Sequence, residues 1–146
     1  MVVTSSDAAN ATLPTTYTCD GEAKSPPVAW RGAPSGTAGF AMLMSTVPSP
    51  GTTKYNWILY NIPAGTTSLA AGASAGTFGF ADDGGGLSYA APCSQGPGLK
   101  QYTFTVYALS AAPNLSGLAP NQVTGATLTS ALRSEEHTSE LQSRLH

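Results

Sequence analysis

Cysteine and histidine are the residue types in this 146-residue chain best suited to covalent or metal chemistry, and their positions exclude most of it. Both histidines, His137 and His146, lie near the C-terminus, and the chain before residue 133 contains none. A Ser-His-Asp or Cys-His arrangement needs an imidazole as its base. Cys19 and Cys93, far apart and without a neighbouring histidine, lack the usual ligand spacing of a zinc site. We therefore predict a protein that is not an enzyme and has no catalytic residue, metal or cofactor.

The acidic, glycine-rich run from Asp82 to Gly86 is the other segment that could bind an ion. It lacks the alternating carboxylates of a calcium loop and the Gly-Lys-Ser/Thr of a phosphate-binding loop. The run predicts an exposed turn.

Composition excludes two classes of partner. Lys and Arg number 6 against 8 Asp and Glu, a net charge of -2, so the chain has no basic footprint for nucleic acid or an anionic membrane. No apolar run approaches the roughly 20 residues of a membrane span. The 16 glycines and 11 prolines, with only 10% charged residues, favour short strands joined by turns. We expect one all-β domain that binds no nucleic acid and does not insert stably into a membrane.

Five segments between turn-forming residues have the composition of strands. Weak candidates are Val2 to Ser5 and Thr15 to Thr18, and stronger ones are Phe40 to Met44 and Trp57 to Ile62, which are apolar on both faces and predict central strands. Tyr102 to Leu109 alternates, which predicts one face in the core.

One helix is predicted, over Val123 to Leu132. Thr124 can cap it, and Leu128 and Leu132 lie one turn apart on the same side. Trp30 and Trp57 lie inside apolar runs and are expected to be core anchors rather than stacking platforms.

The composition changes abruptly after Leu132. The run from Arg133 to Ser143 is similar to the in-frame translation of a common sequencing adapter, and such segments are kept out of fold reasoning. The alternative is a genuine polar tail, solvated or weakly helical. We expect a domain over residues 1–132 and an artefactual tail over residues 133–146.

Six ordered blocks together carry a resemblance to a known family. They are Leu13-Pro14 with Tyr17 to Gly21, Ser25 to Trp30, Ala33 to Thr37, Asn56 to Ala64, Ala91 to Cys93, and Tyr102 to Leu109. In order and spacing they resemble the phosphatidylethanolamine-binding protein family, in its bacterial Raf-kinase-inhibitor-like branch. The resemblance implies packed antiparallel sheets with Greek-key connections, a short C-terminal helix and a small pocket for phosphate-like groups at one edge. The family continues past Leu132 to a closing strand, so we expect a truncated fold with an uncovered edge.

The pocket is where the sequence departs from the family. The family's Asp-Pro-Asp-x-Pro block is replaced by Ser45 to Pro50, its His-Trp by Asn56-Trp57, and its His-Arg-Tyr by Lys100-Gln101-Tyr102. An amide and a lysine can still donate hydrogen bonds to an anion. The resemblance thus implies a remodelled ligand-binding site, whose residues are Asn56, Lys100, Tyr102, Thr46, Ser49 and Asp20.

A silent remnant is the alternative interpretation of the same residues. Lys100 would then point to solvent and Asn56 would satisfy a loop carbonyl. Asp20, beside Cys19 and Gly21, would hold a turn through its own backbone bonds.

Cys19 and Cys93 fall in two blocks that lie near the pocket in the family, so the resemblance makes a disulfide between them sterically plausible. Two buried thiols are the alternative. A disulfide, low charge and many Ser and Thr residues favour export, so we expect a secreted or periplasmic protein whose leader is not visible.

Three functional hypotheses follow. The first is a non-enzymatic binding protein for a small anionic or phosphorylated ligand that modulates a partner protein, as relatives inhibit kinases or proteases. The second is a hydrolase using the same pocket. The third is a degenerate structural or interaction module with no ligand.

Overall fold

Two antiparallel sheets form the fold. The computed structural model describes residues 2–5, 13–82, 84–93, 101–133 and 138–145, without the side chains of residues 49, 133 and 138–145. The strands are β1 Val2–Thr4, β2 Val28–Arg31, β3 Gly39–Ser49, β4 Thr52–Pro63, β5 Ser68–Leu69, β6 Thr77–Phe78, β7 Tyr102–Leu109 and β8 Thr138–Leu145. Helix α1 spans Gly125–Arg133, and two 3-10 helices span Thr15–Tyr17 and Pro120–Gln122. The all-β class is confirmed.

The strand order shows how distant parts of the chain meet. One sheet has the order β1-β2-β5, and the other has the order β6-β4-β3-β7-β8. β3 and β4 form a hairpin, and the chain later returns through a long connection to place β7 beside β3 along its full length. This return is the Greek-key type of connection that the resemblance implies. It brings the start of β7 next to the end of β3.

Apolar residues lie on both faces of the larger sheet. One face packs against the smaller sheet and buries Trp30, Met42, Trp57 and Phe104, among others. The opposite face packs against α1, whose Leu128 and Leu132 are fully buried. The predicted central strands and core tryptophans are thereby confirmed.

The prediction that only one face of β7 lies in the core was incomplete. Tyr102, Phe104, Val106 and Ala108 form one buried face as expected. Thr105, Tyr107 and Leu109 are also buried, because Val123 and the α1 leucines cover the second face. Alternating threonines do not reveal that a helix will lie over them.

The strand predicted at Thr15 to Thr18 is wrong, since this segment begins with a 3-10 helix. The Tyr17 N–H donates to the Pro14 carbonyl (3.1 Å) and the Thr18 N–H to the Thr15 carbonyl (2.9 Å). Gly21 lies directly against the Thr15 carbonyl, where a Cβ atom would not fit. The segment satisfies its backbone within this compact turn rather than in a sheet.

Helix α1 begins where the sequence predicts. The Thr124 hydroxyl accepts a hydrogen bond from the Thr127 N–H (3.2 Å), which is the expected cap. Gly125 opens the helix against the ring of Tyr55, with no room for a Cβ atom. A larger residue at this position would separate the helix from β4.

β8 corrects the expectation of an uncovered edge on β7. Residues 138–145 pair with the whole of β7, from Leu109↔Thr138 to Tyr102↔Leu145. The segment is therefore extended rather than weakly helical. Ladder hydrogen bonds are made by main-chain groups, so the free edge of β7 can pair with an extended segment of little apolar character.

Candidate functional site

The outer edge of β4, on the side away from β3, is covered by residues 77–90. β6 pairs with Leu59 and Tyr60, and the following residues continue along the same edge. The backbone bonds are Gly79 N–H to the Ile58 carbonyl (2.9 Å), Asp82 N–H to the Tyr55 carbonyl (2.8 Å) and Ala90 N–H to the Asn56 carbonyl (2.7 Å). The segment therefore forms one wall beside β4.

Asp82 fixes this wall through its side chain. Its carboxylate accepts a hydrogen bond from the Tyr55 N–H (2.8 Å), and its own N–H donates back to Tyr55. The acidic run is a turn here, as predicted, and Asp83 lies outside the described residues. The Asp82 carboxylate therefore satisfies a backbone donor of β4.

Asn56 occupies a β-bulge in β4. Met44 pairs with Trp57 and Ser45 with Tyr55, so Asn56 is the extra residue between them. Its side chain is 3% exposed, and its Nδ2 donates to the Ala90 carbonyl (3.0 Å). Within the part of the chain that the structure describes, its Oδ1 has no hydrogen-bond partner. Bulges recur beside functional sites because they redirect a side chain, and here one leaves a buried acceptor unpaired.

Tyr89 precedes Ala90 in the chain and contacts the other aromatic residues of the site. Its ring makes an edge contact with Trp57, with centroids 5.4 Å apart, and its hydroxyl donates to the Tyr17 carbonyl (2.7 Å). Burial raises the pKa of Tyr89 well above its ordinary value of 10.0, and the neighbouring Tyr102 adds to this shift. Tyr89 is thus a neutral hydrogen-bond donor between the site and the 3-10 helix.

The predicted disulfide is present and lies beside Tyr89 in the chain. Cys19 and Cys93 are bonded with an S–S distance of 2.05 Å and a Cα–Cα distance of 5.3 Å. The Cys19 N–H also donates to the Pro92 carbonyl (3.0 Å). These bonds and that of the Tyr89 hydroxyl attach residues 13–22 to residues 89–93.

Tyr102 and Thr46 are brought together as cross-strand partners of β7 and β3. Tyr102 is 8% exposed, and Tyr89 packs against the same buried cluster. The Thr46 hydroxyl donates to the Gln101 carbonyl (2.8 Å), so it fastens the start of β7. Its oxygen retains lone pairs that can accept a hydrogen bond.

The remaining predicted site residues either form no hydrogen bond with Asn56 in the described part of the chain or lie outside it. Asp20 is exposed in a turn, where its N–H donates to the Thr18 hydroxyl (3.2 Å), as the turn interpretation expects. Ser49 ends β3 and pairs with Thr52, and its side chain is outside the description. Lys100 and the Gly96-Pro97-Gly98 turn lie outside the described residues.

This arrangement is suited to hydrogen bonding and aromatic contact. Its described members are one amide, two tyrosines, a threonine and a disulfide. Among the described residues, no three His, Cys, Asp or Glu side chains form a group that could hold a metal ion.

Sequence reasoning missed Ala90, which holds Asn56 through two hydrogen bonds, and Tyr89, which contacts Trp57. They lie in a segment with neither strand alternation nor helical spacing. Their only signal was position, just before the block Ala91-Pro92-Cys93.

The two antiparallel sheets and their strand order define the class of fold. The phosphatidylethanolamine-binding protein family profile matches residues 3–142. The chain belongs to this family.

Relatives in sequence come from several bacteria and an archaeon. A UPF0098 protein of Methanothermobacter thermautotrophicus is 34% identical over 103 residues, 66% of this chain and 68% of that protein. A UPF0098 protein of Aquifex aeolicus is 34% identical over 67% of this chain and 61% of its own length. A Mycobacterium tuberculosis protein named as a candidate lipoprotein, LppC, is 33% identical over 72% of this chain and 53% of its own length.

Two solved structures share the fold. Escherichia coli YbcL, named as a member of the mammalian PEBP family, superposes with a TM-score of 0.78 and 25% identity, covering 99% of this chain and 96% of that chain. A candidate phosphatidylethanolamine-binding protein homolog, CT736 of Chlamydia trachomatis, gives a TM-score of 0.73 and 24% identity, covering 92% of this chain and 89% of that chain. The packed-sheet architecture is therefore that of the family.

Proposed function

We propose that the protein is a non-enzymatic binding protein that holds a small phosphorylated group beside Asn56. The observation that carries the proposal is the buried Asn56 Oδ1, which has no partner among the described residues. An unpaired buried acceptor costs about 1–3 kcal/mol. A ligand that offers an N–H or O–H to this oxygen would recover that energy.

The acceptor constrains the chemistry of the ligand. Only one Nδ2 hydrogen of Asn56 is used by Ala90, so the second can meet an anionic oxygen while Oδ1 meets a donor. A phosphate monoester with an ammonium or hydroxyl group presents both. In this proposal Lys100 supplies the cation, Tyr102 and Thr46 line the site, and Ser49 and Asp20 add polar groups at its rim.

Calorimetric titration with phosphoethanolamine and with inorganic phosphate tests this function. We expect phosphoethanolamine to bind with a Kd in the millimolar range or below and more tightly than inorganic phosphate. Asn56→Ala and Lys100→Ala should each weaken binding, and Arg31→Ala, which removes an exposed cation from β2, should not. The absence of heat with phosphoethanolamine at millimolar concentration would overturn the proposal. Turnover of a phosphomonoester would favour a hydrolase.

We also propose that the ligand-bound protein modulates a partner protein, as a kinase or protease inhibitor does. Only the family resemblance supports this part. Inhibition assays against a kinase and a protease, with and without phosphoethanolamine, test it, and no effect in either assay would count against it.

We propose a secreted or periplasmic location. The disulfide supports it, since such bonds persist in oxidising compartments. The similarity to LppC points the same way. Among the described helices, none is long and apolar enough to cross a membrane. Fractionation of cells carrying the tagged full-length gene tests the proposal, and recovery in the cytosol would contradict it.

A further inference from the structure

The Cys19–Cys93 disulfide connects two segments that have different relations to the candidate site. Residues 89–93 form part of it, because Ala90 binds Asn56 through two hydrogen bonds and Tyr89 contacts Trp57. Residues 13–22 form an outer turn that covers Tyr89 through the Tyr17 carbonyl. The disulfide is the covalent connection between the outer turn and the wall of the site.

Besides the disulfide, the outer turn is held by Tyr17, which is buried, and by Leu13, which packs against the core. Its 3-10 helix is three residues long, and Tyr17 is its buried residue. Hydrogen bonds from the Tyr89 hydroxyl to the Tyr17 carbonyl and from the Cys19 N–H to the Pro92 carbonyl also join the two segments. Both Cys19 and Cys93 are exposed, so a reductant can reach the sulfur atoms. Exposed disulfides are the ones that reducing partners reach most readily.

We propose that this disulfide is a redox switch on the candidate site. When it is intact, residues 13–22 are held against residues 89–93, and Ala90 keeps Asn56 oriented. When it is reduced, the outer turn separates from Tyr89 and the backbone around Ala90 loosens. The ligand-binding consequence rests on the function proposed above, whereas the release of the turn does not.

The reaction is thiol–disulfide exchange with a dithiol protein reductant. A reductant thiolate attacks one sulfur of the pair, and the other sulfur leaves as a thiolate and takes up a proton. The second reductant thiol then resolves the mixed disulfide. Two protein thiols form as the reductant is oxidised to its own disulfide, so electrons and protons balance.

Amide hydrogen exchange tests the release of the turn. We expect the Cys19 and Ala90 amides to exchange at least tenfold faster in reduced than in oxidised full-length protein, and faster than Met42 and Val106 in the same reduced sample, since these core amides exchange only when the whole fold opens. Unchanged exchange at Cys19 and Ala90 would overturn the switch. Exchange of Cys19 and Ala90 in the reduced protein that is no faster than that of Met42 and Val106 would also overturn it, because the turn would then open only when the whole fold unfolds.

Phosphoethanolamine binding tests the consequence for the site. We expect the Kd to rise at least fivefold on reduction, and C19S/C93S to match the reduced protein and to be unaffected by reductant. An equal Kd in both redox states would overturn regulation of the site. If the oxidised protein binds no phosphoethanolamine, the function proposed above fails, and the exchange rates of Cys19 and Ala90 alone decide the switch.

Discussion

Asn56 and Ala90 are joined by two hydrogen bonds. The Ala90 N–H donates to the Asn56 carbonyl (2.7 Å), and the Asn56 Nδ2 donates to the Ala90 carbonyl (3.0 Å). One residue of a loop is thereby paired with both the backbone and the side chain of one residue in β4. These two hydrogen bonds hold the segment around Ala90 against β4. They also fix the orientation of the Asn56 side chain, whose Oδ1 has no partner among the described residues.

Replacement of Asn56 should therefore affect stability as well as binding. Asn56→Ala leaves the buried Ala90 carbonyl without its side-chain donor, and we expect the free energy of unfolding to fall by about 1–3 kcal/mol. Urea denaturation followed by tryptophan fluorescence measures the change. Asn121→Ala, at an exposed position of the second 3-10 helix, is the control and should change stability little. Equal stability of the two variants would contradict the role of this bond.

Removal of the disulfide should lower the free energy of unfolding, because the bond restricts the conformations of the unfolded chain. The bond closes a loop of 74 positions, and the chain-entropy model assigns such a loop about 4 kcal/mol. We expect C19S/C93S to lose an amount of this order in urea denaturation and to be insensitive to reductant. When reductant is added, the free energy of unfolding of the wild-type protein should fall to that of the variant. A loss below about 1 kcal/mol would show that the reduced chain is restrained in other ways.

Alkaline pH should destabilise the fold through Tyr89. Burial raises the pKa of its hydroxyl above 10.0, so the folded state keeps a proton that the unfolded state releases. The stabilisation is fully present below pH 10 and decreases as the pH rises further. We expect the urea midpoint to fall between pH 9 and pH 11, and to fall less in Tyr89→Phe. An identical pH dependence in both proteins would refute this assignment.

Deletion of residues 134–146 should expose the outer edge of β7. That strand is buried on both faces, and an unpaired strand edge promotes association between molecules. We expect the shortened protein to aggregate, with a Tm lower by about 5 °C or more. Light scattering and thermal denaturation measure both effects. A monomer with an unchanged Tm would indicate that β8 contributes nothing to the fold.

The prediction of the fold from sequence succeeded where side-chain patterns carry the information. Tyr102 to Leu109 and the α1 leucines lie where their periodicity placed them. The strand proposed at Thr15 failed because a short run of Thr and Tyr has no period, and Pro14 and Gly21 instead favour a compact turn. β8 was missed because its pairing depends on the backbone of β7 rather than on its own composition.

Only those site residues that lie in family-like sequence blocks could be predicted. Asn56 and the disulfide lie in family-like blocks, and the structure places both in one region. The bond from Asn56 to Ala90 follows the alternative in which the amide satisfies a loop carbonyl, and the Asn56 Oδ1 has no partner among the described residues. No sequence pattern reveals a bulge, because a bulge is a mismatch of register between two strands.

The bulge has a consequence for how this position can change over evolutionary time. A residue opposite a cross-strand neighbour is selected for packing and pairing together, so its replacement alters the sheet. Asn56 is the unmatched residue between Tyr55 and Trp57, and its substitution leaves the register of β3 and β4 intact. Position 56 can therefore change without shifting the pairing of β3 and β4, but a replacement keeps the adjoining loop in place only if its side chain also donates to the Ala90 carbonyl.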